Sequence, residues 1–205
     1  MELFDMQNTM LANDVLEAIY SRRSVRNFTN EIVDSDLIEE LLKAATQAPC
    51  AMHEEPCAFA IIQDMPILKE LSKDIKGYFQ GQSRIGNAIS MHALKIINQN
   101  HFEAFYNANT LIVICSQFSG KFTEADCWLA AENLMLAAYA KGLGSCVIGF
   151  AVDVLNTDKW KSRLLIPQDA QVIAPIIIGV PAGEAPIVKR NPLTVYSWKS
   201  LELSK

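Results

Sequence analysis

The sequence has no block of like charges and no excess of cations. Eighteen Lys and Arg stand against 23 Asp and Glu in 205 residues, a formal charge of −5. An acidic chain of this kind is a poor ligand for a phosphate backbone, so no nucleic-acid partner is expected. Long apolar runs are missing as well. The longest, Thr110–Cys115 and Ala174–Pro181, are strand-sized and too short to span a bilayer, so no membrane partner is expected either. The first ten residues, MELFDMQNTM, lack a basic flank followed by an apolar stretch, which argues against a secretory signal. There is no internal repeat, Gly/Ser linker or Pro-rich tract, and a single domain over residues 1–205 is expected. None of the five cysteines (Cys50, Cys57, Cys115, Cys127, Cys146) has Cys-x-x-Cys spacing, and the odd count sits badly with a disulfide framework. Reduced thiols in a cytoplasmic protein, packed as small hydrophobes, are the expectation. No Gly-rich loop ends in Gly-Lys-Ser/Thr and no Gly-x-Ser-x-Gly elbow occurs, which removes the anchors of phosphate-loop and serine-hydrolase chemistry.

What is present is apolar residues at 50% and charged ones at 20%, enough to build a core. Residues 14–23 read as a helix with Val15, Leu16, Ile19 and Tyr20 on one face. A second helix follows Asp34 or Ser35 as its cap and stops near Ala48, because Pro49 disfavours helical geometry before it. Phe59–Ile62 is a strand, Ile67–Leu71 begins a helix, and Ile85–Ile97 suggests another. Leu111–Cys115 is a buried strand, and Glu124–Lys141 is a long helix apolar nearly all round, buried by its own core or by a second subunit. Cys146–Phe150 reads as a strand, Val152–Leu164 as a weaker helix and Gln171–Val180 as a central strand. The tail after Pro192 has no core partner in the pattern. Strands separated by helices predict an α/β or α+β sandwich.

Three clusters carry chemistry. Gly142-Leu-Gly144 invites a dinucleotide-loop reading, but Gly149 is two positions late for the third glycine and the stretch runs from helix into strand. A helix-ending glycine followed by a tight turn fits better. Cys50, His53, Glu54, Glu55 and Cys57 are suitable zinc ligands in type, yet they also read as a solvated polar loop between Pro49 and Pro56. Arg22-Arg23-Ser24-Val25-Arg26 places three guanidiniums and a hydroxyl within five residues. That is either a solvated helix end, where cations suit the helix dipole, or an anion site, since guanidinium forks match phosphate oxygens.

Taken in order, the motifs resemble the nitroreductase-like FMN-dependent oxidoreductases over most of the chain. Arg22–Phe28, the capped helix and Ala48-Pro49 resemble the family's opening block; Pro56-Cys57-Ala58-Phe59 resembles its Pro-Trp-x-Phe. Glu132–Ala138 with Gly142–Ser145 resembles the central helix and its exit, Pro175–Pro181 the last core strand, and Lys189-Arg190-Asn191-Pro192 the basic motif after it. The resemblance implies an α+β nitroreductase-like sandwich: a mixed, mainly antiparallel central sheet flanked by helices, with a C-terminal arm crossing to a partner subunit. It implies FMN at the interface of a homodimer, and a ping-pong transfer of hydride from NAD(P)H through the flavin to an oxidised acceptor such as a nitroaromatic or quinone. The flavin carries that chemistry, so no catalytic side chain is demanded. By the resemblance Arg22, Arg23 and Ser24, helped by Lys189 or Arg190, take the phosphate and ribityl groups. Arg26 stands near N1 and O2, where a cation favours the reduced ring. Pro49, Cys50, Ala51, Met52 and His53 line the ring edge, and Ile148 and Gly149 lie along its other side. Where the family often shows Ser-Ser-x-Asn-x-Gln-Pro-Trp, this chain has Cys50 to Cys57, losing two hydroxyls and replacing asparagine, glutamine and tryptophan by His53, Glu55 and Cys57. A non-catalytic flavin- or metal-binding module built on the Cys50–Cys57 loop is the alternative.

Overall fold

A computed structural model of the chain describes residues 15–84, 95–99 and 102–199. Its framework is a four-stranded sheet of β1 (Cys57–Ile62), β2 (Thr110–Ser116), β3 (Gly144–Val147) and β4 (Gln171–Gly179), in the order β1-β2-β4-β3. All three ladders are antiparallel, and one isolated parallel bridge joins Ser24 to Ser145. The two middle strands, β2 and β4, read as continuous apolar runs because both their faces are covered. Leu111 and Val113 face one layer, with Trp160; Ile112 and Ile114 face the other, with Ile38, Leu41 and Leu134.

The helices are α1 (residues 15–21), α2 (Ser35–Ala45), α3 (Met65–Arg84), α4 (Thr123–Ala140), α5 (Val152–Leu155) and α6 (Asp158–Arg163). The Asp34 carboxylate accepts the Asp36 N–H at 2.8 Å and caps α2, which packs its Ile38, Leu41 and Ala45 beneath the sheet beside α4. The Asn133 amide ties α4 to α2 through the Ala44 carbonyl at 3.3 Å. Helix α3 runs through Gly77 and Gly81 without a break. The helix expected over Ile85–Ile97 lies largely outside the described residues, of which 95–97 are helical.

Two elements differ from the sequence expectation. The strand expected over Cys146–Phe150 is Gly144–Val147, because the Ile148 N–H turns to the Pro175 carbonyl at 2.8 Å and Gly149–Ala151 coil into a 3₁₀ turn. The helix expected over Val152–Leu164 is two short ones. Asn156 interrupts it by spending its amide on Val172, donating to the carbonyl and accepting from the N–H, both at 2.9 Å. In α1 the period is right but the face is uncovered: Ala18 is buried, whereas Val15, Leu16, Ile19 and Tyr20 are 49–71% exposed.

Candidate functional site

The basic segment after α1 is mounted on the sheet by its backbone. The Val25 N–H donates to the Ser145 carbonyl at 3.0 Å, Phe28 bridges Pro181, and the Thr29 N–H reaches the Val180 carbonyl at 2.9 Å. Two glycines make room for this approach. A Cβ on Gly144 would meet three side-chain carbons of Val25 at 2.7–2.9 Å, and one on Gly179 would meet the Phe28 ring at 2.8 Å. The Gly142-Leu-Gly144 motif is therefore a helix end and a docking notch. Gly142 has φ +75° and donates to the Tyr139 carbonyl at 2.9 Å, while the Leu143 N–H closes on Ala138 at 2.8 Å.

This mounting sets where the arginines go. Arg22 and Arg23 line a cavity of about 390 Å³ walled by Tyr139, Leu143 and the stretch from Pro181 to Ile187. Arg22 Nε is buried, stands 3.7 Å from Glu132 Oε1 and makes no hydrogen bond. The Ser145 hydroxyl, in the same cavity, is the other buried side-chain polar atom without a partner among the described residues. Buried polar groups in folded proteins are nearly always paired, so two orphans on residues lining one cavity are donors an oxygen-rich anion can use once the side chains turn to it. Arg23 behaves partly as a helix end: its Nη1 donates to the carbonyls of Tyr20 at 2.6 Å and Arg22 at 2.8 Å. Arg26 instead lines a second, larger cleft of about 700 Å³, floored by Cys146, Ile148 and Gly149 and bounded by Phe102 and Tyr106. Burial pushes the Cys146 thiol up, opposed by Arg26, by a hydrogen bond with Ser24 and by Arg22, which places this cysteine among the basic motif.

The segment from Pro49 to Cys57 is held differently. Pro49 and Cys50 line a third, smaller cavity of about 200 Å³ together with Cys57 and Asp126. The Ala51 N–H donates to both carboxylate oxygens of Asp126, at 3.2 and 3.3 Å. Met52, His53 and Glu55 then take left-handed φ values of 55°, 56° and 46°, a costly geometry for residues with a side chain. Met52 and His53 are exposed and line none of the three cavities. Lys189 and Arg190 are exposed too, two and three residues past the wall at Ile187. A single chain thus brings Arg22 with Arg23, and Arg26 with Ile148 and Gly149, but leaves Pro49–His53, Lys189 and Arg190 apart from them. The metal cluster suggested by Cys50, His53, Glu54, Glu55 and Cys57 is not assembled: among the described residues no three His, Cys, Asp or Glu side chains converge on a metal position.

The model of the nitroreductase family matches residues 19–180, which is most of the chain. The chain belongs to the nitroreductase family. It is 28% identical over 176 residues to an Archaeoglobus fulgidus protein named as an NADH dehydrogenase/NAD(P)H nitroreductase, covering 83% of this chain and 87% of that one. It is 26% identical over 199 residues to iodotyrosine deiodinase 1 of Homo sapiens, covering 89% and 67%. Among solved structures, a nitroreductase with bound FMN from Bacteroides fragilis superposes with a TM-score of 0.74 at 26% identity, covering 92% and 98%.

Several residues at this candidate site carry no flag in the sequence. Asp126 reads as an ordinary acidic residue in the first turn of a helix, and Ser145 as a turn residue after glycine. Cys146 reads as strand packing. Ser145 and Cys146 become visible only when the sheet sets Ser24–Arg26 against them, some 120 residues away, and Asp126 only when the fold brings Ala51 to it from 75 residues away.

Proposed function

We propose that this chain is an FMN-dependent oxidoreductase that passes hydride from NADH or NADPH to an oxidised acceptor such as a nitroaromatic or a quinone. The observation that carries the reading is the pair of unpartnered buried atoms, Arg22 Nε and Ser145 Oγ, in a cavity built by the family's opening basic motif. A phosphate monoester fits that donor set, because a guanidinium and a hydroxyl match its oxygens. FMN, when bound, supplies the centre that accepts a hydride from a nicotinamide and gives it to the acceptor.

The protein's part is binding, orientation and electrostatics. Arg22, Arg23 and Ser24 hold phosphate and ribityl oxygens, with Lys189 or Arg190 closing from the tail. Arg26, free in its cleft apart from a long 3.4 Å contact to the Ser24 carbonyl, holds a positive charge where a reduced ring is negative. Ile148 and Gly149 give that cleft a flat floor; Gly149 has no atom within 4 Å of where a Cβ would stand, leaving space for a planar group. Pro49–His53 complete the site from the second subunit of a homodimer.

The exposed apolar surface supports that assembly. Helix α1 presents Val15, Leu16, Ile19 and Tyr20, and the tail presents Leu193, Tyr196 and Trp198 at 85–99% exposure. Edge strand β1 borders a groove of about 450 Å³ that also takes in Leu164–Pro167. An arm crossing from the partner would cover such an edge. Among the described residues no helix is long and apolar enough to cross a membrane, and all five cysteines are free, which suits a cytoplasmic enzyme. Visible spectroscopy of the protein reconstituted with FMN, followed by anaerobic addition of NADH and then NADPH, tests the activity. Flavin bands that bleach with one of them are expected; bound flavin that never bleaches would make the protein a binding module only. Light scattering should give twice 22.8 kDa, with partial dissociation on deletion after Arg190.

A further inference from the structure

Cys57 and Cys127 are 70 positions apart in the chain, yet their sulfurs are 3.6 Å apart, in van der Waals contact. Cys57 opens β1, and Cys127 lies in the second turn of α4. Their surroundings differ. Cys127 is fully buried, whereas Cys57 is half-buried and lines the cavity of about 200 Å³ beside Pro49, Cys50 and Asp126. A small polar oxidant reaching that cavity meets Cys57 first and finds Cys127 directly behind it.

We infer that Cys57 and Cys127 form a reversible dithiol–disulfide pair, oxidised by hydrogen peroxide or a small organic hydroperoxide and reduced again by a dithiol. The geometry allows both halves of the oxidation. The Cys57 sulfur attacks the peroxide; the O–O bond breaks, the sulfur keeps one oxygen as a sulfenic acid, and water (or an alcohol) leaves. The Cys127 sulfur then attacks the Cys57 sulfur, the S–OH bond breaks, and hydroxide departs as water with the Cys127 proton. Two thiols lose two electrons and two protons, and the peroxide takes up both. Closing the bond requires the sulfurs to approach from 3.6 Å to about 2.05 Å, a distance that side-chain rotations cover. Reactivity follows the same order. The hydrogen bond with Cys127 pulls the Cys57 thiol below its usual range, against burial and the Asp126 charge. That same contact, together with burial, pushes the Cys127 thiol up.

The consequence falls on the strained segment. Pro49–Cys57 is already tied to α4 by Ala51 on Asp126, and the disulfide would tie its other end one residue further along the same helix. On the proposed function this segment borders the flavin, but the pairing itself can be read with or without flavin bound.

The test treats the purified protein with a few equivalents of hydrogen peroxide, blocks remaining thiols with iodoacetamide and digests it with a Glu-specific protease without reduction. Cleavage after Glu54 and Glu124 separates Cys57 from Cys50 and isolates Cys127, the Glu55–Pro56 bond being resistant. The expected product is the Cys57 peptide joined to the Cys127 peptide, two hydrogens lighter than their sum and abolished by dithiothreitol. In Cys127→Ser, Cys57 should stop at the sulfenic acid and be trapped by dimedone. The proposal is overturned if both cysteines stay alkylatable while Cys50 is oxidised, if Cys57 joins Cys50, or if wild-type Cys57 proceeds to sulfinic acid with Cys127 still a thiol. Mapping of the wild-type chain decides the matter even if Cys127→Ser does not fold.

Discussion

The two segments that flank the candidate site are held by different means. Residues 22–29 are laid on the sheet by backbone bonds to Ser145 and Val180, with Val25 and Phe28 filling the notches left by Gly144 and Gly179. Residues 49–57 lean at one end on side chains of α4, through Asp126 on the Ala51 N–H and Cys127 on Cys57, are tied at the other by the Gln117 N–H on the Pro56 carbonyl at 2.8 Å, and carry three left-handed residues that are not glycine. The difference teaches which changes each segment can absorb. Backbone mounting places the arginines through main-chain groups and the two glycine notches, so changes at the arginine side chains leave the segment itself in place. A loop positioned in part by individual side chains accepts new residues if a new anchor appears, and here Cys57 has one in Cys127.

Substitutions can break this contrast. The largest effect is expected at Gly144→Ala. Its methyl would press on Val25 Cβ and both γ-carbons, none of which can swing away, so denaturant unfolding should show a loss of about 2 kcal/mol together with a fall in flavin retention. Gly179→Ala meets the Phe28 ring, which can tilt, and should cost less; equal costs would show that Val25 is not the tighter contact. Next comes Asp126→Asn, which removes the charge from the Ala51 contact. A loss of about 1.5 kcal/mol and faster amide exchange confined to residues 51–55 are expected. Slower or unchanged exchange there would mean that the loop is held by something other than α4. The smallest effect is at Arg26→Gln. Arg26 is exposed within its cleft, so a screened charge of ~1 kcal/mol lowers the two-electron flavin midpoint by about 20 mV, read by spectroelectrochemistry. An unmoved or raised potential would place Arg26 away from the ring.

The same contrast explains what could be read from the sequence. The sheet was legible because β2 and β4 are apolar on both faces, and α2 because Asp34 caps it as its type predicts. The arginine cluster stood out because three guanidiniums in an acidic chain are conspicuous, though the sequence left open a solvated helix end, which Arg23 partly is. The end of β3 was not, since Ile148 and Phe150 look like strand residues and only the turn toward Pro175 ends the strand. Helix α1 shows the limit of periodicity: it announces an apolar face correctly but says nothing of whether the same chain covers it. Asp126, Ser145 and the Cys57–Cys127 contact were illegible for one reason. Each depends on a meeting across some 70 to 120 residues, and each residue type is ordinary in its local setting.

The central claim is that Arg22 meets a phosphate, and a comparison of FMN with riboflavin tests it directly. The two ligands share the ring and ribityl chain and differ only in the phosphate. Fluorescence titration of the apoprotein should give tighter binding of FMN than of riboflavin, and Arg22→Ala should weaken FMN by roughly 30- to 150-fold, about 2–3 kcal/mol for a lost charge-assisted pair. Riboflavin affinity should stay the same in the folded variant. Equal losses for both ligands, or no loss for FMN, would contradict the account and assign Arg22 to the end of α1 and to Glu132 alone.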